Sequence, residues 1–207
     1  DTDSSQLALM TSAAGPGGVL AIHSANGNVR IAGGSTVDAS GPTQRLEVVA
    51  TNGDIHLGDA SAEGVDVTLS ADSFIGFRAA GANQPTITFN NTMVDSQGRI
   101  DVLAAGNGAK VLFGPNNSLS GQDLRIFAEG NQSLIRFTGN TSLTGDQIKL
   151  AARRILVDMN SQVNVEGSAL GLFADQHDYN LDGATQKPFG SISTDGTVNT
   201  VGSYNDR

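Results

Sequence analysis

The chain has 207 residues, enough for one sizeable domain with its own core, and its 12 Lys and Arg against 21 Asp and Glu give a formal net charge of −9. Arg153-Arg154 is the one adjacent basic pair, and an acidic chain without a basic stripe is a poor partner for nucleic acid or for an anionic membrane surface. No apolar run approaches the roughly 20 residues of a spanning helix, so no membrane insertion is expected.

Cysteine is absent, which fits a surface protein exported through a narrow pore before folding, where stray disulfides would block transit. The chain begins at Asp1 instead of Met, as a processed piece of a longer product would. Glycine is abundant at 26 residues, and Asn, Ser, Thr and Asp crowd between short apolar runs. No stretch shows the 3.6-residue period of a helix, so the chain reads as all-β with many turns.

Residues 1–17 read as an N-terminal entry or cap segment. From residue 18 a pattern of apolar-x-apolar-x-small sets in. It occurs at Leu20/Ile22/Ser24, Leu46/Val48/Ala50, Val67/Leu69/Ala71, Ile100/Val102/Ala104, Leu124/Ile126/Ala128, Ile148/Leu150/Ala152 and Leu170/Leu172/Ala174. A second strand follows in each unit, at Val29/Ile31, Ile55/Leu57, Ile75/Phe77, Val111/Phe113, Ile135/Phe137 and Ile155/Val157. A third short element closes several units, around Val37, Leu119, Leu143 and Val165. The long interval from Val67 to Ile100 holds "GANQPTITFNNTMVDSQG", read as an extra hairpin or a widened loop. Residues 175–207 read as a loop followed by a divergent final coil, with Ile192 as a weaker eighth start.

Three short strands per repeat fit either a sandwich of sequential hairpins or a parallel β-helix in which each strand pairs with its copy one coil later. Repetition favours the helix. If first strands stack on first strands, the leading aliphatics form one inward ladder, and a narrow corner explains the small residue four positions on. Antiparallel hairpins give no reason for such copying. Each buried aliphatic contributes roughly 1.5–3 kcal/mol. The expected fold is therefore all-β: a single right-handed parallel β-helix of about seven to eight coils over 18–174 and beyond. At about 4.8 Å per coil this is a rod on the order of 35 Å long.

The stretches "GNVRIAGGSTVDASG", "NGDIHLGDASAEG", "NNSLSGQDLRIFAEG" and "SLTGDQIKLAARRI" resemble coils of filamentous-haemagglutinin-like exoproteins, the large secreted adhesins of Gram-negative two-partner systems. The resemblance spans roughly residues 18 to 174 and rests on periodicity and turn composition. It implies a β-helical shaft, export through an outer-membrane transporter partner, and adhesion at the cell surface to a glycan or protein receptor on host or neighbouring cells. The family's secretion domain carries an Asn-Pro-Asn motif, which this chain lacks. The chain therefore resembles the repeat-region shaft.

Candidate chemistry is sparse. "HDYNLDG" at 177–183 places Asp178, Asn180 and Asp182 as the first half of a D-x-N-x-D-G calcium loop. Phe189 stands where an EF-hand needs Glu, so the loop reads either as a calcium loop completed by a ligand from elsewhere or as an Asx-rich turn leaving the last coil; calcium there, near one end of the rod, would be structural, and no other cofactor is required. His23 and His56 fall on outward strand positions, and no His-x-x-x-His supports zinc. Four sequons begin at Asn90, Asn116, Asn131 and Asn140, in turns where glycosylation would find them accessible. A β-helix can also carry a polysaccharide lyase or hydrolase, which needs converging carboxylates. The nearest cluster is the scatter of Asp72, Asp101, Asp123 and Asp146. Phe77, Phe113 and Phe137 fall inward, so a sugar site would be polar and shallow. No catalytic residue is assigned.

The expected function is a non-catalytic structural and interaction module. It would be a shaft segment of a secreted or surface-displayed adhesin presenting lateral loops, chiefly 79–99 and 175–190. A polysaccharide-acting enzyme and a self-associating extracellular filament subunit are the alternatives.

Overall fold

The computed structural model describes residues 9–10, 17–39, 44–64, 66–81, 83–174, 191–194 and 197–201. Among them there is no helix, and every strand pairing is parallel, in three sheets whose members recur every third strand.

Sheet 1 holds Val19–Ser24, Arg45–Ala50, Phe74–Ala80, Arg99–Ala105, Asp123–Glu129, Gln147–Ala152 and Ala169–Ala174. Sheet 2 holds Val29–Ile31, Ile55–Leu57, Thr86–Phe89, Lys110–Phe113, Leu134–Phe137, Arg154–Val157 and Ser191–Thr194. Sheet 3 holds Leu9–Met10, Ser35–Ala39, Val67–Ala71, Thr92–Ser96, Asn117–Ser120, Thr141–Thr144, Gln162–Glu166 and Thr197–Val201. One strand from each sheet makes a coil, and the coils stack as a parallel β-solenoid.

Three expectations need correction. Six coils run between Val19 and Glu166, slightly fewer than seven to eight, and Ala169–Ala174, Ser191–Thr194 and Thr197–Val201 add one further strand to each sheet. Ile192 starts no coil: it pairs with Ile155 in sheet 2. Val67 does not continue the first ladder either. It lies in sheet 3 between Ser35 and Thr92, and Ile75, expected in the second strand, takes its place beside Leu46 and Ile100.

That shift also dissolves the expected hairpin. Residues 79–99 are not a lateral loop, since they contain Thr86–Phe89 of sheet 2 and Thr92–Ser96 of sheet 3. The long connection is the one from Leu57 to Val67, nine residues where the other complete coils use two to four. Polar groups hold it. The Asp66 carboxylate accepts from the Gly34 and Asp59 amides at 2.9 and 3.2 Å, and Asn91 Nδ2 donates to the carbonyls of Asp59 and Ala62 at 2.6 and 3.0 Å. The Ser61 amide, then its hydroxyl, donates to Asp59 and holds that carboxyl below its ordinary value.

Strand alternation sends every second residue into the coil. In sheet 1 the inward columns are Leu46/Ile75/Ile100/Leu124/Ile148, then Val48/Phe77/Val102/Ile126/Leu150, then Ala50/Ala79/Ala104/Ala128/Ala152, all buried. The alanine column marks the narrow turn into sheet 2. There Phe89, Phe113 and Phe137 stack one per coil, with centroids 5.1 and 4.8 Å apart and rings within 9° of parallel. Phe77 meets Phe89 edge-on at 5.3 Å and 82°. Offset and edge-to-face pairs of this kind add about 0.5–1.5 kcal/mol beyond their buried area.

Sheet 3 contributes Val37, Leu69, Val94, Leu119, Leu143 and Val165, and also a buried polar position filled by Thr92, Asn117 and Thr141. Asn117 is satisfied there: its Oδ1 accepts from the Thr92 amide at 3.2 Å and its Nδ2 donates to the Gly114 carbonyl at 2.9 Å.

Candidate binding groove

The outward positions of sheet 1 form a grid fixed by the register. One row runs Arg45, Phe74, Arg99, Asp123; the next Glu47, Gly76, Asp101, Arg125; the third Val49, Arg78, Leu103, Phe127. Gly76 sits at its centre with no side chain, so the grid has a notch. The notch belongs to a groove of about 470 Å3 that Phe74, Glu47, Asp101, Arg78, Leu103 and Phe127 help to line.

Phe74 leans along its own strand over Gly76. A β-carbon at Gly76 would stand 2.7 Å from the Phe74 ring, so glycine is what lets the ring lie there. Arg45 and Arg99, on the two flanking strands, bring their guanidinium carbons to 4.7 and 5.1 Å from the ring centroid. Each such cation–π contact is worth about 0.5–1 kcal/mol at an exposed site. Each arginine is also tied to the carboxylate two residues on, on the same outward face: Arg45 to Glu47 and Arg99 to Asp101, both at 3.1 Å. On the next strand Arg125 donates to Asp123 Oδ2 through Nε at 2.9 Å and Nη2 at 2.6 Å.

This packing crowds the carboxylates. Burial pushes the Asp101 carboxyl above its ordinary value, against the pull of the Arg99 and Arg125 charges and with a smaller push from Asp123. Asp101 Oδ1, Asp123 Oδ1 and Arg99 Nε are enclosed and have no hydrogen-bond partner among the described residues. Arg78 differs from its neighbours. It is exposed, and no carboxylate of the described residues lies within ion-pair distance of it.

Arg45, Arg78, Arg99, Arg125 and Lys149 project from this face and Arg30, Lys110, Arg136 and Arg154 from sheet 2, while the outward positions of sheet 3, from Thr36 and Asp38 to Asn164 and Glu166, carry no Lys or Arg. A second hollow, of about 600 Å3, follows the corner between sheets 3 and 1 past Asp95, Asp146 and Glu166. It is the step left by the stacked glycines 121, 145 and 167.

The candidates read from sequence are scattered over the rod. Asp178, Asn180 and Asp182 lie outside the described residues, as do His177 and 175–190 as a whole. Among the described residues no three His, Cys, Asp or Glu come together as a metal site. His23 projects from sheet 1, with Nε2 2.9 Å from Thr51 Oγ1, and His56 from sheet 2, 3.9 Å from Asp54. Of the four aspartates, Asp101 and Asp123 share the groove face on adjacent strands, while Asp72 and Asp146 sit at the corner between sheets 3 and 1.

Asn116, Asn131 and Asn140 are exposed at corners. Asn90 is half-buried, with its side chain over Gly114, and Asn116 Nδ2 donates to Asn91 Oδ1 at 3.1 Å. Phe74 and Phe127 were not anticipated as surface aromatics. Strand parity alone exposes Phe127, one step out of phase with Leu124, Ile126 and Ala128; Phe74 required the correct phase of the third coil.

No protein-family profile, curated protein or solved structure matches the chain.

Proposed function

We propose that the chain is a non-catalytic structural and interaction module, a shaft segment of a secreted or surface-displayed bacterial adhesin. The observation that carries this reading is the unbroken register. Strands pair coil to coil in all three sheets from Val19 to Glu166, so side chains on one face are held at fixed spacings. With 79–99 built into the coils, presentation falls to a sheet face: the groove over Gly76 replaces that loop as the recognition surface. The resemblance to filamentous-haemagglutinin-like shafts supports display at a Gram-negative cell surface and an outer-membrane transporter as export partner.

The test is retention of the labelled protein on an array of glycans and matrix proteins, in calcium and in chelator, followed by mass analysis of whatever is bound. Selective retention of intact ligand is expected. Ligand released as shorter fragments would refute the non-catalytic reading.

One observation favours a second reading, a polysaccharide-acting enzyme. Glu47 and Asp101 face each other across Gly76, two strand spacings apart, about 9.6 Å between main chains. Such a pair could flank a glycosidic bond, and burial already raises the Asp101 carboxyl in the direction a general acid needs. Against it, each carboxylate is tied at 3.1 Å to an arginine of its own strand, which would have to be displaced before the carboxylate could meet a glycosidic oxygen.

A further inference from the structure

We propose that the groove over Gly76 binds an acidic saccharide, with Arg78 taking the sugar carboxylate. This rests on reading the chain as a binding module and adds the ligand class.

Three features of the lining meet in that chemistry. Phe74 and Phe127, with Val49 and Leu103, offer apolar surface on which the C–H face of a pyranose can pack. Glu47 and, through Oδ2, Asp101 are acceptors on opposite sides of the notch, placed for sugar hydroxyls, which donate. Arg78 projects at the end of the notch as an exposed fork of donors with no carboxylate within ion-pair distance among the described residues. A planar guanidinium in that state matches a carboxylate in paired, charge-assisted hydrogen bonds.

Charge supports the assignment. The groove is lined by Arg45, Arg78 and Arg125 against Glu47 and Asp101, an excess of one positive charge in a chain whose formal net charge is −9. One surplus cation fits one carboxylate of the bound ligand. Phosphate-rich ligands fit poorly, because Arg45, Arg99 and Arg125 are already committed to carboxylates. The groove crosses four strands, about 14 Å at the usual spacing, so it accommodates an oligosaccharide, and its volume lies within the common range of ligand sites. A peptide adding as a strand is disfavoured: the groove lies on the face of a sheet whose main-chain groups pair with strands on both sides.

The test is calorimetric titration of the whole chain with a galacturonate trimer, its fully methyl-esterified counterpart and 3′-sialyllactose, beside a matrix-protein array. The proposal expects saturable binding of at least one acidic probe, at least tenfold weaker binding of the neutral ester, and at least a tenfold loss in Arg78→Gln. Arg136→Gln, on sheet 2, should bind as the wild type, and circular dichroism should show both variants folded. Equal binding of acid and ester, unchanged binding in Arg78→Gln, or retention only on matrix proteins would each overturn it. Cleavage of the trimer with binding that still depends on Arg78 would uphold this inference and remove the non-catalytic reading. Matrix-protein binding that ignores Arg78 would do the reverse.

Discussion

The ring of Phe74 occupies the space that a β-carbon on Gly76 would need, with ring atoms 2.7 and 2.9 Å from that position. The two residues are one device: the glycine makes the notch and the phenylalanine forms its wall. Gly76→Ala should therefore separate folding from shape. The obstructing atoms are the far end of a rotatable side chain, so the ring swings away. Relief of glycine's unfolded-state entropy, about 0.5–1 kcal/mol, then offsets lost contacts with Arg45 and Arg99, about 0.5–1 kcal/mol each. Net stability should change by less than about 1 kcal/mol, while the Phe74 ring-proton shifts move. A large drop in the unfolding midpoint would show that the ring is wedged against something rigid.

Gly145 presents the opposite case. A β-carbon there would strike the Gly121 carbonyl oxygen of the preceding coil and stand 2.8 Å from Leu124 Cδ1. The coils cannot part, because the Gly121 amide donates to the Thr144 carbonyl at 3.0 Å and the Gly145 amide to Glu166 at 2.9 Å. At Gly121 the same β-carbon would meet its nearest atom, the Gly98 oxygen, at 3.1 Å. Gly145→Ala should cost about 2–3 kcal/mol and Gly121→Ala less than half of that. Denaturant unfolding of the two variants side by side measures the difference, and equal costs would refute the stacking argument.

The repeat was legible where coils were of one length. From Arg99 to Asp146 two units of equal length lie in register, and their ladders, phenylalanines and glycines could be aligned by eye. The third coil was not legible, for a physical reason. Side-chain parity is the same in all three sheets, and sheet 3 also turns into its corner on a small residue, at Ala39, Ala71 and Ser96. Val67/Leu69/Ala71 thus satisfies the pattern of a first strand while lying in the third sheet. The connection from Leu57 to Val67, whose described residues are held by Asp66 and Asn91, leaves no strand pattern that would have reset the phase. The same slip hid Phe74, since its exposure follows only once Ile75 is known to point inward. The groove grid needs four strands in register at once, and no single stretch of sequence records that.

Phe113 stacks on Phe89 on one side and Phe137 on the other, fully buried. Phe113→Ala should cost about 3–5 kcal/mol, and Phe113→Leu, which retains most of the volume, about 1–1.5 kcal/mol. Phe137→Ala should fall below Phe113→Ala, because Val157 of the next coil continues its column without a ring. Thermal and denaturant unfolding of the three variants gives the order, and a Phe137→Ala cost above that of Phe113→Ala would show that the stack is not shared between coils.

Asp101 gives the pH dependence its sign. Its carboxyl is raised, chiefly by burial, with Arg99 and Arg125 opposing and Asp123 adding; Glu47 faces it across Gly76. A carboxyl raised in the folded state holds its proton more tightly there than in the unfolded chain. Between its ordinary value, about 3.9, and the raised folded value, the native state binds more protons. Asp101 therefore supports stability fully at low pH and withdraws that support as pH rises through its folded pKa. This runs against the usual acid-labile carboxylate. Asp101→Asn removes the titration but keeps the shape, so the decline from about pH 4 upward should be shallower in the variant than in the wild type. Unfolding midpoints across the acid range measure the slope, and carbon-detected NMR of the Asp101 carboxyl measures the titration directly. A titration midpoint at or below that of an exposed aspartate would mean that the arginines outweigh burial, and the groove would then present Asp101 as a fixed anion at every pH at which a ligand binds.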